Sequence, residues 1–474
     1  MTVTAKIGEA GMARIGVTGM GTMGAALALN IADNGFEVAV HNRSPEKTRA
    51  VVKGAGDLAE RLAPAENLED FVGSLTKPRA VLIMVNASAV DAVIEDLVPL
   101  LEQGDLIVDA GNANFNDTRR RAKSVEDAGL LFLGVGVSGG EEGARFGPSI
   151  MVGGTPEAYA PIRDIIEAIA AEFEGDACAD FLGTDGVGHL VKTVHNGIEY
   201  ADMQLIAEAY GLLRADGRDI DRMADLFGQW NDGPLQSYLI EITSEILKTK
   251  DRDTGRPIVD VILDQAGQKG TGRWTVIEAL KMGQSATAIE SAVAARSWSA
   301  LSDTRAAAEA AFPPDGRVAE VLDTDLEAAL LAARILTYGQ GMALLEAASA
   351  EFEWSLDLAR VAEIWRAGCI IRSSLLDDIS AAIRHGLPHG QLLLEPAFVA
   401  RLHETIPALR RVVTAAMLNG QSVPAMAASL SFFDTLRRAR GTTDLIQAQR
   451  DFFGRHGFKR VDRDGDGFHG PWAD

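Results

Sequence analysis

Two rhythms of hydrophobic and polar positions divide this 474-residue chain. In the first third, short apolar runs alternate with amphipathic stretches. "RIGVTG" from Arg14, "FEVAVH" from Phe36, "AVLIMV" from Ala80, "DLIVDAG" from Asp105 and "LLFLGVGVSGG" from Leu130 read as strands buried on both faces, the pattern of a parallel sheet. Between them, "GAALALNIADN", "SPEKTRAVVKG", "SAVDAVIEDLVPLLEQG" and "NDTRRRAKSVEDAG" read as helices. The alternation predicts an α/β, Rossmann-type doubly wound domain over residues 1–185. From about Gly186 the pattern becomes long and helical, as in "DLEAALLAARILTYGQGMALLEAASA", with breaks at "KTKDRDTGRP", "FPPDG" and "RHGLPHG". That predicts a large all-α domain over residues 186–440. Residues 441–474 contain "DLIQAQRDFFGRHGF" from Asp444 and end polar and glycine-rich, as a C-terminal tail outside the packed core would.

The first strand runs into "GMGTMG" (Gly19, Met20, Gly21, Thr22, Met23, Gly24), which opens a predicted helix. Glycines let such a turn tighten and its backbone approach a pyrophosphate, which then meets the positive end of the helix dipole. The second strand selects the dinucleotide. An acidic residue at its end commonly holds an NAD ribose, but here it ends in Asn42, Arg43 and Ser44. A cation and a hydroxyl suit a 2′-phosphate, so the expected cofactor is NADP.

A second motif lies in "KTVHNGIEYADMQLIAEAYGLL" from Lys192. Lys192, His195, Asn196 and Glu199 stand at i, i+3, i+4 and i+7, which places them on one face of a helix. A solvated face is the bland reading and an active site the sharp one. Composition narrows the choice of ligand. The net charge of −22 and pI near 4.8 exclude nucleic acid as the natural partner, since phosphate backbones need a basic footprint. The short basic runs "TRRRAK" and "TLRRARG" read as solvated or subunit-facing helix surfaces. An anionic ligand would need cations gathered locally. No stretch of eighteen apolar residues and no leader pattern is evident, so no membrane partner and a cytoplasmic location are expected. Cys178 and Cys369 are too far apart in sequence to suggest a metal or redox motif and read as small buried hydrophobes.

Five blocks in order, "GVSGGEEGARFGPSIM", "HNGIEYADMQLI", "DQAGQKGTGRWT", "GCIIRSSLL" and "LIQAQRDFFG", resemble the 6-phosphogluconate dehydrogenase family, and the likeness runs from the glycine turn nearly to the C-terminus. The resemblance implies NADP-dependent oxidative decarboxylation of 6-phosphogluconate to ribulose 5-phosphate and carbon dioxide, a step of the oxidative pentose phosphate pathway, without a metal. It makes Lys192 the general base and Glu199 the general acid. Two helical turns, about 10–11 Å of rise, separate them. It also places Asn112, Ser138, Gly139, Gly140, His195, Asn196, Tyr200, Lys269 and Arg296 against substrate, and Val85, Asn86, Ala87 and Asn112 near the cofactor. Arg450 and His456 would complete the site of the other subunit of a homodimer.

Some positions depart from the family pattern. Gly21 stands where alanine is usual, Asn86 replaces a lysine near the cofactor, Ser88 a glycine and Val152 a proline, and the end after His456 diverges. "DRDGDG" from Asp462 imitates the start of an EF-hand loop, but Ala473 occupies position 12, so a solvated tail is expected rather than a calcium site. Two other readings stay open: a dehydrogenase of another β-hydroxyacid, and an NADP-sensing protein without turnover.

Overall fold

The computed structural model describes residues 12–268, 270–313 and 320–473. Strands β1 (Ile15–Thr18), β2 (Val38–His41), β3 (Leu62–Ala65), β4 (Ala80–Ile83), β5 (Leu106–Asp109) and β6 (Leu131–Val137) run parallel. β7 (Ile150–Gly154) returns antiparallel to β6, a ribbon of β8 (Glu172–Phe173) and β9 (Asp176–Ala177) follows, and β10 (Ala179–Gly183) lies parallel to β7. The eight-stranded sheet has the order β10-β7-β6-β5-β4-β1-β2-β3, with helices between its parallel strands.

All five predicted strands form and pair in parallel. The sequence reading missed β3, β7 and β10. β3 reads "LAPA", and its proline is tolerated because the strand occupies the sheet edge. β7 ends in two glycines, and β10 is a short, half-buried run without clear alternation.

After β10 a helix spans Val187–Ala215 and the rest of the fold is helical. This helix packs along Asp323–Glu351, which in turn packs on Pro396–Leu418. The Asp323–Glu351 helix is long and apolar enough to cross a membrane by length and composition, but 89% of its apolar window is buried inside the protein. Its Arg334 lies 2.7 Å from Asp202 of the Val187–Ala215 helix and donates to the Leu235 carbonyl, so the charge inside this core is paired. Both cysteines are buried and unpaired, as expected.

The sheet and the Val187–Ala215 helix meet along a seam of glycines. A methyl group on Gly188 would come within 2.5 Å of the Gly134 and Met151 carbonyl oxygens, and one on Gly136 within 2.5 Å of the Lys192 Cβ. Backbone therefore rests on backbone here, and the first turns of the helix lie directly over β6 and β7.

The tail is more ordered than its composition suggests. A helix spans Thr443–Gly454, and the buried Asp451 carboxylate accepts hydrogen bonds from the backbone of Gly457 and Gly470 and from the Trp472 indole, and pairs with the His469 imidazole at 2.6 Å. These bonds hold Asp451 well below the usual carboxylate range against the opposing effect of burial. Asp462 pairs with Arg460, and the described residues contain no cluster of acidic, histidine or cysteine side chains able to hold a metal.

Gly188→Ala tests the seam. Helix propensity alone would favour alanine by about 1 kcal/mol, whereas overpacking costs roughly 1–3 kcal/mol. The expected result in urea denaturation is a net loss of stability, because the obstructing atoms are backbone oxygens that cannot rotate away.

Candidate active site

The glycine turn sits at the C-terminal end of β1, and the helix Thr22–Asp33 follows it. Gly19 has φ +106°, and a methyl on Gly24 would collide with the Gly19 carbonyl, so both positions require glycine. Nothing lies within 4 Å of where a methyl on Gly21 would stand, so its departure from alanine is sterically neutral. The N-terminus of the helix has neither a side-chain cap nor an acidic residue in its first turn. Its unpaired N–H groups face a cleft of about 1070 Å³, an arrangement suited to a pyrophosphate.

Gly19, Gly21, Thr22, Met23, Gly24, Asn42, Arg43, Ser44, Val85, Asn86, Ala87 and Asn112 all line this cleft. Met20 does not; its side chain joins the core while its backbone N–H donates to Asn42 Oδ1 at 3.0 Å. Arg43 and Lys47 are exposed on the cleft wall and form no ion pair among the described residues. Lys47 was not singled out in the sequence, because an exposed lysine on a helix carries no pattern.

Three residues of the stripe on the Val187–Ala215 helix are buried, and Glu199 is partly exposed. Lys192 is 6% exposed, His195 0% and Asn196 6%. Lys192 Nζ donates to Ser138 Oγ at 2.9 Å, and Ser138 Oγ lies 3.1 Å from His195 Nε2. His195 Nδ1 is 3.2 Å from Asn196 Oδ1, 3.3 Å from Lys192 Nζ and 3.8 Å from Glu199 Oε2. With the Ser138 hydroxyl donating to Nε2, the single imidazole proton resides on Nδ1, toward Asn196. Burial pushes His195 well below its usual pKa, with the Lys192 charge adding to the effect and Asn196 opposing it.

The same burial lowers Lys192 from its ordinary value, against the pull of Glu199, and raises Glu199 against Lys192 and Arg296. A lysine shifted toward its neutral form and a carboxyl shifted toward its protonated form thus share one helix face. A solvated stripe would shift neither.

Tyr200 follows on the same helix, and the Arg296 guanidinium lies 3.7 Å from its ring centroid. Gly139 and Gly140 continue from Ser138 with positive φ, and a methyl on Gly139 would strike the Gly368 carbonyl at 2.5 Å. Arg450 and His456 lie exposed at the end of the tail helix, in contact with Gln447 and Phe453 respectively. Lys269 lies outside the described residues.

The "TRRRAK" run is not a uniformly solvated or subunit-facing surface. Arg121 is 3% exposed and bonds Asp91, Asp109 and the Ala87 carbonyl. Asp109 also accepts the Gly111 N–H at 3.3 Å, and His189 bonds the Gly111 carbonyl at 3.1 Å. One guanidinium therefore ties together both loops, 85–87 and 111–112, that flank the cleft. Its neighbours Arg119 and Arg120 make half-exposed pairs with Asp185 and Asp91, as the sequence reading allowed.

Residues 14–183 match the NAD binding domain of 6-phosphogluconate dehydrogenase, and residues 188–472 match the 6-phosphogluconate dehydrogenase C-terminal domain. This chain belongs to the 6-phosphogluconate dehydrogenase family. A family member from Synechococcus elongatus, a decarboxylating 6-phosphogluconate dehydrogenase, is 47% identical, with 97% of this chain and 99% of that protein covered. Two Bacillus subtilis members, one NADP(+)-dependent and one NAD(+)-dependent, are each 44% identical over 97% of this chain and 99% of theirs. The Plasmodium falciparum enzyme, whose structures include complexes with its cofactor NADP+ and its substrate 6-phosphogluconate, superimposes with a TM-score of 0.92. It shares 38% identity, and the match covers 97% of this chain and all of that one.

Replacing Arg121 with methionine strands the fully buried Asp109 carboxylate. Urea denaturation should show a loss of roughly 3–5 kcal/mol, whereas Arg120→Met, at the surface, should stay within about 0.5 kcal/mol.

Proposed function

We propose that this protein catalyses NADP-dependent oxidative decarboxylation of 6-phosphogluconate to ribulose 5-phosphate and carbon dioxide, the step used by the oxidative pentose phosphate pathway. The observation that carries the reading is the buried Lys192–Ser138–His195 cluster, with Glu199 on the same helix face and the dinucleotide cleft beside it. Substrate identity is supported by the full-length similarity to decarboxylating enzymes. The residues divide into two units, 1–185 for the cofactor and 186–440 for substrate and dimerisation, with 441–474 as the tail.

NADP, when bound, supplies the hydride acceptor. Lys192, shifted by burial toward its neutral form, takes the proton of the substrate's 3-hydroxyl as hydride leaves carbon 3. The resulting β-keto acid loses its carboxylate as carbon dioxide, and the electron pair released forms an enediol as the Lys192 ammonium returns its proton to the oxygen on carbon 3. Glu199, shifted toward its protonated form by burial, delivers a proton to substrate carbon 2, which becomes carbon 1 of ribulose 5-phosphate, while Lys192 takes back the hydroxyl proton on carbon 3. Ser138 and His195 hold the Lys192 amine in place. Asn112, Gly139, Gly140, Asn196, Tyr200, Lys269 and Arg296 contact the substrate.

Arg43 and Ser44, with Lys47 beside them, receive the 2′-phosphate. This local assembly supports NADP where overall similarity does not, since the NADP- and NAD-dependent relatives are equally close. The protein acts as a homodimer in the cell interior, with Arg450 and His456 entering the partner's site. Support comes from the exposed Leu445, Ile446, Phe452 and Phe453 of the tail helix and from an apolar groove of about 1030 Å³ beside the helix Pro396–Leu418.

Purified protein with 6-phosphogluconate should reduce NADP with matching release of carbon dioxide. Reduction without carbon dioxide would favour a dehydrogenase of another β-hydroxyacid, and NADP binding without reduction would favour a sensor. The base must be neutral, so kcat/KM should rise with pH through the lowered pKa of Lys192 and level off below that group's ordinary value. Lys192→Met should cost about 10²–10⁴-fold in turnover. A chain truncated before Arg450 should still bind NADP, by calorimetry, while losing 6-phosphogluconate.

A further inference from the structure

One aromatic side chain of the helical region, Trp274, lines the dinucleotide cleft. It lies on the helix Thr271–Lys281 and is half-buried. Three contacts fix that helix. Thr275 Oγ1 donates to the Thr193 carbonyl at 2.6 Å, one residue beyond Lys192. Gly272 lies against the Tyr200 ring, where a methyl would come within 2.6 Å. One turn beyond Trp274, the buried Glu278 accepts a hydrogen bond from Asn116 at 3.1 Å and pairs with Lys281 at 2.8 Å. The helix is thus clamped to the catalytic helix on one side and to the segment after β5 on the other.

The sheet order indicates which end of the cofactor meets this wall. The glycine turn lies over β1, the 2′-phosphate residues at the end of β2, and the loops at 85–87 and 111–112 at the ends of β4 and β5, on the opposite side of β1. A dinucleotide centred on the turn with its adenosine over β2 must extend its nicotinamide half over β4 and β5. Asn116 belongs to the β5 side, so its bond to Glu278 puts Trp274 there as well.

We propose that Trp274 is a cofactor-binding residue, its indole forming the wall against which the nicotinamide ring packs, with Glu278 the positioning residue that holds its helix over the cleft. The proposal rests on the NADP reading above. An indole face presented to a flat, cationic heteroaromatic ring combines apolar burial with cation–π attraction. It also shields the space between the nicotinamide and Lys192 from water.

The test compares two ligands on the full-length protein by calorimetry: NADP, and 2′,5′-ADP, which lacks the nicotinamide half. Trp274→Ala should weaken NADP about tenfold, in the range seen when stacking aromatics are removed, and leave 2′,5′-ADP within about twofold. Trp274→Phe should restore most of the NADP affinity. Unchanged NADP affinity in Trp274→Ala would overturn the proposal, and so would an equal loss for both ligands, which would mean that the residue only supports the fold. Failure of the unmodified protein to bind NADP would instead defeat the functional reading on which the proposal rests.

Discussion

The close approach of the Val187–Ala215 helix to β6 and β7 is the constraint on which the site depends. Gly134, Gly136 and Gly153 on the sheet and Gly188 on the helix leave no room between the two backbones. The helix is therefore fixed in depth and rotation over its first turns. Lys192 comes one turn after Gly188, directly above Gly136, and its amine meets Ser138 just past the end of β6. The same contact that joins the two halves of the protein removes the lysine from water.

Electrostatics follow from that burial. Lys192, His195 and Glu199 would be ordinary charged or titrating groups on an exposed helix. Under the sheet each is driven toward its uncharged form; attraction between Lys192 and Glu199 only partly opposes their shifts, while the Lys192 charge adds to that of His195. A neutral amine and a protonated carboxyl are the forms that acid–base work near neutrality needs. The chain carries a large net negative charge, yet lines its cleft and site with Arg43, Lys47 and Arg296. Local placement of cations overrides the global field.

The supporting framework is held by a few buried polar groups at junctions. Arg121 joins the loops at 85–87 and 111–112, Arg334 pairs with Asp202 between two core helices, and Asp451 closes the tail on itself. Each would be costly if its partner were lost, so each fixes a geometry that hydrophobic packing alone would leave adjustable.

The sequence by itself determined the repeating elements and the chemical inventory. Period and context sufficed for the five parallel strands, the glycine turn with its helix, the change to long helices after Gly186, and the stripe of Lys192, His195, Asn196 and Glu199. These depend on local spacing, which a chain displays without folding. Tertiary structure decided the rest. Pro64 made β3 illegible because edge placement, which permits the proline, is a property of the sheet. Arg121 looked solvated beside Arg119 and Arg120 because only the fold puts Asp109 and Ala87 within its reach. Trp274 reached the cleft, and Asp451 gathered a polar tail, through contacts between segments that carry no sequence period. Burial of the stripe was the last thing undecided by sequence, because desolvation requires surrounding atoms that only the assembled glycine seam provides.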